Sequence, residues 1–119
     1  MALNIVLTQV ALTSATTSNP IAIFPPMGLG NWSSGYLQPS ILVQLSSGAS
    51  LTYSVEVSGN DPDNPNYVEA NAVWVGFTNM TGLTASAVAT LGAMVKAVRL
   101  NCTAYTSGTL TMQIVQCIA

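Results

Sequence analysis

Charge is what this sequence has least of. Six of its 119 residues are ionised at neutral pH: Glu56, Asp61, Asp63, Glu69, Lys96 and Arg99. That is 5% of the chain, against roughly 25% in an ordinary soluble domain. Two cations cannot neutralise a run of phosphates, which argues against nucleic-acid binding, and they cannot form a polybasic membrane-surface patch. Histidine is absent, and with it the usual general base and the commonest metal ligand. No apolar run approaches the ~20 residues of a membrane helix. The opening stretch MALNIVLTQV has no basic segment, and Asn4, Thr8 and Gln9 interrupt its apolar residues. It reads as a first strand rather than a secretion signal.

What is present points to a folded domain. Half the residues are hydrophobic, which excludes a disordered chain. The length suits a single domain over residues 1–119. The solvated surface must come from neutral polar groups, and the chain holds 25 Ser and Thr with 14 Asn and Gln. Such a surface with a net charge of −2 does little to oppose association. That composition suits a protein that works in an assembly.

Period-2 patterning dominates and gives an all-β, antiparallel domain. Leu51, Tyr53, Val55 and Val57 share one face of a strand, with Thr52, Ser54, Glu56 and Ser58 on the other. Ile41, Val43 and Leu45 alternate before a Ser46-Ser47-Gly48 break, so residues 41–57 read as a hairpin, with Pro39 just ahead of it. Val98, Leu100, Cys102 and Ala104 form a second apolar row, and Leu110, Met112 and Ile114 a third. A Thr106-Ser107-Gly108 loop would pair Cys102 with Met112 and Leu100 with Ile114, with Gly108 in a left-handed conformation. Val73, Val75 and Phe77 mark a short strand, and residues 21–24 another. The Ala-rich residues 86–94 fit a helical turn or an extended loop. Residues 13–40 hold four of the six prolines and form a loop-rich arm, longest over residues 25–39.

In the hairpin register Cys102 and Cys117 fall on opposite faces and cannot bond to each other. Both read as unpaired, buried small hydrophobes, which suits a reducing site of synthesis. A catalytic thiol would want a neighbouring cation, and no His exists to supply it.

Three further features admit a functional reading beside a plain one. Asp61 and Asp63 sit with Asn60, Asn64 and Asn66 in one oxygen-rich loop. Such spacing can bind Ca²⁺, but the loop lacks the glycine and distal Glu of an EF-hand, and Pro62 and Pro65 indicate ordinary turns. The four carboxylates could supply a glycosidase pair, yet no clustered acid–base set surrounds them. Trp32, Tyr36, Tyr67 and Trp74 could stack sugars. Core or subunit-contact roles suit them better. Lys96 and Arg99 fall on opposite faces of one strand, and one of them is placed to pair with Glu56 across the sheet.

Three stretches carry a resemblance: Tyr53-Ser-Val-Glu-Val-Ser-Gly-Asn-Asp-Pro62, Thr81-Gly-Leu-Thr-Ala-Ser86, and the run from Val98 to Gln116 with its Tyr-Thr-Ser-Gly turn. Over residues 49–117 the chain resembles small virion structural proteins of tailed bacteriophages. The resemblance implies a jelly-roll-like β-sandwich and a capsid decoration (cement) protein, or a related head or tail component. It implies no catalytic residues and no cofactor. The implied partners are further copies of the chain, as dimer or trimer, and the major capsid protein, on the capsid surface of a virion assembled in a host cytoplasm. Candidate contact residues are Ile5 and Leu7 of the first strand, with Pro25, Pro26, Trp32 and Tyr36 of the arm. The alternative is a tail or adsorption protein whose sandwich binds carbohydrate.

Overall fold

A computed structural model describes residues 4–23, 39–92 and 95–118. Eight strands account for most of them. They are β1 (Asn4–Leu12), β2 (Ile21–Ala22), β3 (Ser40–Leu45), β4 (Ser50–Ser58), β5 (Val75–Gly76), β6 (Ala87–Thr90), β7 (Ala97–Ser107) and β8 (Leu110–Ile118). A 3₁₀ turn lies at Glu69–Asn71. The strands form two four-stranded antiparallel sheets, in the orders β1-β8-β3-β6 and β2-β7-β4-β5. The pairing is nested: β1 with β8, β2 with β7, β3 with β6, β4 with β5. The contacts β3–β8 and β4–β7 close each sheet. Every connection except β4 to β5 passes from one sheet to the other.

The alternating apolar rows explain the layering. Ile41, Val43, Leu110, Met112 and Ile114 of the first sheet meet Leu51, Tyr53, Val55, Val98, Leu100 and Cys102 of the second in one buried cluster. Burial of each large apolar side chain contributes about 1.5–3 kcal/mol. Two polar groups enter this layer, each with a partner. The fully buried Tyr53 hydroxyl donates to the Ala85 carbonyl at 2.8 Å. Gln116 of β8 donates from Nε2 to the Ala22 carbonyl of β2 at 3.1 Å, a tie from one sheet to the other.

Neither expected hairpin exists as a paired unit. β3 and β4 lie in different sheets, and so do β7 and β8. Cys102 stands opposite Tyr53 of β4, while Met112 stands between Val10 and Val43. Alternation identified the inward faces of β3, β4 and β8, and of β7 as far as Cys102, and those faces do meet. They meet across the core rather than side by side. Beyond a register shift opposite Thr52 and Tyr53 the β7 row changes sides, so Ala104 is exposed and Tyr105 packs on the core in its place. Gly108 does adopt a positive φ, +102°, but at a corner between sheets. A Cβ there would lie 2.7 Å from the Ala49 Cα, because the β3–β4 and β7–β8 corners pack together. Backbone hydrogen bonding joins the corners, with the Ser46 N–H donating to the Thr109 carbonyl at 3.0 Å.

Smaller differences have local causes. The Ala-rich segment contributes strand β6, whose Ala87 and Ala89 lie opposite Val43 and Ile41. Small side chains suit that crowded inward position. The strand expected at residues 73–77 is restricted to Val75–Gly76, and Val73 and Val75 are exposed. The strand expected at 21–24 covers Ile21–Ala22, and Phe24 lies outside the described residues.

Candidate functional site

All six charges fall on the side of the second sheet. Glu56 is in β4, Arg99 in β7, Lys96 just before β7, and Asp61, Asp63 and Glu69 in the β4–β5 connection. Their centre is Arg99. Its Nε donates to Glu56 Oε1 at 2.7 Å, and both side chains keep about one fifth of their surface exposed (20% and 19%). Glu56 Oε2 accepts a second bond from Asn101 Nδ2 at 3.3 Å. The guanidinium carbon stands 4.2 Å above the centre of the Trp74 ring, a cation–π stack. Arg99 Nη1 also lies 3.8 Å from Glu69 Oε1, and the Tyr67 hydroxyl donates to Glu69 Oε2 at 2.8 Å. Desolvation and the bond to Glu69 push the Tyr67 phenol up. Trp74 Nε1 is buried with no hydrogen-bond partner among the described residues.

The β4–β5 connection therefore folds back onto its own sheet. Its turns are built by short polar side chains. Asp61 Oδ1 accepts from the Asp63 N–H, Asn64 Oδ1 from the Asn66 N–H, and Asn60 Oδ1 from the Val73 N–H, each at 2.9 Å. Asp61 and Asp63 are thus turn residues, as Pro62 and Pro65 indicated. Glu56 and Glu69 both lean on one guanidinium, which gives them an electrostatic job already. An open cleft of about 190 Å³ runs over this connection, lined by Asn60, Asp61, Asn64, Asn66, Tyr67 and Asn71. Among the described residues no group of three or more His, Cys, Asp or Glu comes together to hold a metal. Nor is any helix among them long and apolar enough to cross a membrane. Cys102 is a free, buried thiol pushed up by desolvation.

The first sheet presents the opposite surface. Its four strands contain no charged residue. The register puts Ile5, Leu7, Gln9 and Ala11 of β1 on the outer face, beside Thr111, Gln113 and Val115 of β8. Leu42 of β3 and Val88 of β6 extend the same face. Ile5 and Val88 are 74% exposed and Leu7 55%. A shallow depression of about 210 Å³ lies among Leu42, Gln44, Val88, Thr111 and Gln113.

Of the candidate contact residues, Ile5 and Leu7 lie on this uncharged face. Pro25, Pro26, Trp32 and Tyr36 lie outside the described residues, as does the Cys117 side chain. The Glu56–Arg99 pair joins adjacent strands as their alternation allowed. Sequence reasoning missed Trp74 and Glu69 as its neighbours. Their approach depends on how the β4–β5 connection folds, and no periodic signal encodes that. The chain matches no protein-family model, no curated protein and no solved structure.

Proposed function

We propose that the chain is a non-enzymatic virion structural protein, a capsid decoration (cement) protein that stabilises a phage head through oligomeric sandwich contacts. The observation that carries this reading is the asymmetry of the two outer faces. One carries the network of Glu56, Arg99 and Glu69 and is folded over there by the chain's own β4–β5 connection. The other is uncharged and exposes Ile5, Leu7 and Val88. Val68, Val73 and Val75 are exposed on the charged side too, so it is exposed apolar side chains without neighbouring charge that mark the first face as an interaction surface. The nested strand order supports a jelly roll, an eight-stranded double-sheet form found in viral capsid and lectin domains. Fold alone assigns no function. The partners on this reading are other copies of the chain and the major capsid protein, with no nucleic acid, membrane or cofactor involved.

The test is co-sedimentation of the purified protein with phage heads that lack it. Saturable binding and greater heat resistance of the decorated heads are expected. Absence of binding at saturating concentration overturns the reading. The Asn- and Tyr67-lined cleft favours a second reading, an adsorption protein that binds glycans, since amides and aromatic rings suit sugar hydroxyls and ring faces. A glycan array with a Tyr67→Ala control separates the two.

A further inference from the structure

Four strands end the two sheets of the described fold: β1 and β6 in one, β2 and β5 in the other. An edge strand presents N–H and C=O groups that can pair with an arriving strand. Three of these edges are short. β2 and β5 have two residues each and β6 has four. β1 has nine and pairs with β8 without a register shift. It contains no charge, proline or bulge, the usual devices that blunt an edge. At about 3.4 Å per residue the edge runs ~30 Å.

We propose that β1 is a homotypic docking strand: two copies of the chain pair β1 with β1, antiparallel about a twofold axis at Thr8, and join their four-stranded sheets into one. This deepens the assembly reading above and rests on it, by naming the partner of the uncharged sheet's long edge.

The strand's own pattern selects the geometry. Opposite residues of an antiparallel pair share a face, so the axis must pass through a residue. An axis between residues would align one copy's core face with the other's solvent face. Placing it at Thr8, the middle of β1, pairs all nine residues. Val6 then meets Val10 on the core side, while Ile5 meets Ala11 and Leu7 meets Gln9 on the outer side. Charge selects the occupant. A charged strand finds no counter-ion along β1 or on the rest of its sheet, whereas β1 itself is uncharged and meets no repulsion. A contact ~30 Å long and ~10 Å deep covers roughly 300 Å² per copy, below the ~800 Å² of a standard interface. The isolated pair is therefore concentration-dependent, and it strengthens where copies are arrayed side by side.

The axis brings the two Leu7 side chains into a diagonal relation about 7–8 Å apart. Leu7→Lys sets two ammonium groups there. Sedimentation equilibrium of the wild type should show a dimer forming with concentration, and Leu7→Lys should weaken it at least about tenfold. Val88→Lys, at a position still more exposed but on the far edge of the same sheet, should leave it unchanged. Under mild oxidation an equimolar mixture of Leu7→Cys and Gln9→Cys chains should cross-link more than either alone. A monomer throughout, equal effects of the two lysines, or no excess cross-link in the mixture overturns the pairing. A chain that decorates heads yet stays monomeric overturns the pairing and leaves the decoration reading standing. A chain that pairs through β1 yet binds no head does the reverse.

Discussion

Replacing Arg99 with Met isolates the electrostatics of the charged face, because Met keeps an unbranched apolar stem of similar reach. The cost follows from burial. Breaking a fully buried ion pair costs about 3–5 kcal/mol, and an exposed one about 0–1. With about four fifths of both side chains covered, the Glu56–Arg99 pair falls between, near ~2 kcal/mol. Loss of the stack over Trp74, 4.2 Å away, adds about 0.5–1 kcal/mol. The sum is about 2.5 kcal/mol. At about 2.1 cal/mol/K of unfolding entropy per residue, that lowers Tm by roughly 10 °C. Urea unfolding followed by circular dichroism measures it. A double-mutant cycle with Glu56→Gln should return a coupling of about 1.5 kcal/mol. Glu69 stands 3.8 Å off and is 55% exposed, so Glu69→Gln should cost under about 0.5 kcal/mol. An Arg99→Met cost below about 1 kcal/mol, or a Glu69→Gln cost equal to it, would refute the reasoning.

Other consequences follow from individual contacts. Gly108→Ala should destabilise by about 2–3 kcal/mol in denaturant melts, from backbone strain and collision with Ala49. Gly48→Ala, with φ +76° and open space around it, should cost only about 1 kcal/mol. Gln116→Ala should cost about 2 kcal/mol by the same melts, since it strands the Ala22 carbonyl and opens a void. Burial raises both the Cys102 thiol and the Tyr53 phenol. A raised folded pKa gives a contribution that is complete below the unfolded value and lost as pH rises through the folded one. Stability should therefore fall as the solution becomes alkaline, and Tyr53→Phe with Cys102→Ala should flatten that fall in urea titrations across pH.

The strands were legible because each inward face carries its own alternation. Leu51, Tyr53 and Val55 would read the same beside any partner. Strand partnership was not legible, because a short Gly-containing link serves equally well for a tight hairpin and for a corner between sheets. The two corners pack Ala49 against Gly108, residues 59 positions apart with no pattern linking them. The Ala-rich β6 was ambiguous for a related reason. Alanine favours helix by propensity, and only the facing Val43 and Ile41 explain why small side chains belong in that strand. Of the charged site, Glu56 with Arg99 could be read from strand periodicity. Trp74 and Glu69 arrive on an aperiodic connection and could not.

The two faces differ in what they have left to offer. Arg99 is surrounded by Glu56, Trp74 and Glu69, so the β4–β5 connection already occupies the outer side of its sheet around that residue. Any partner binding there must displace a network worth a few kcal/mol, or bind to the Asn-rich loop above it. On the first sheet the outer side chains of Ile5, Leu7 and Val88 remain in water, and no ionised group must be desolvated to cover them. Covering such a face gains about 25 cal/mol per Å² of apolar area without an opposing charge penalty. On the proposed assembly, charge therefore acts chiefly through where it is absent. Glu56, Arg99 and Glu69 hold the chain's own loop against one sheet, and the uncharged sheet is left as the lower-cost surface to bury against a neighbour.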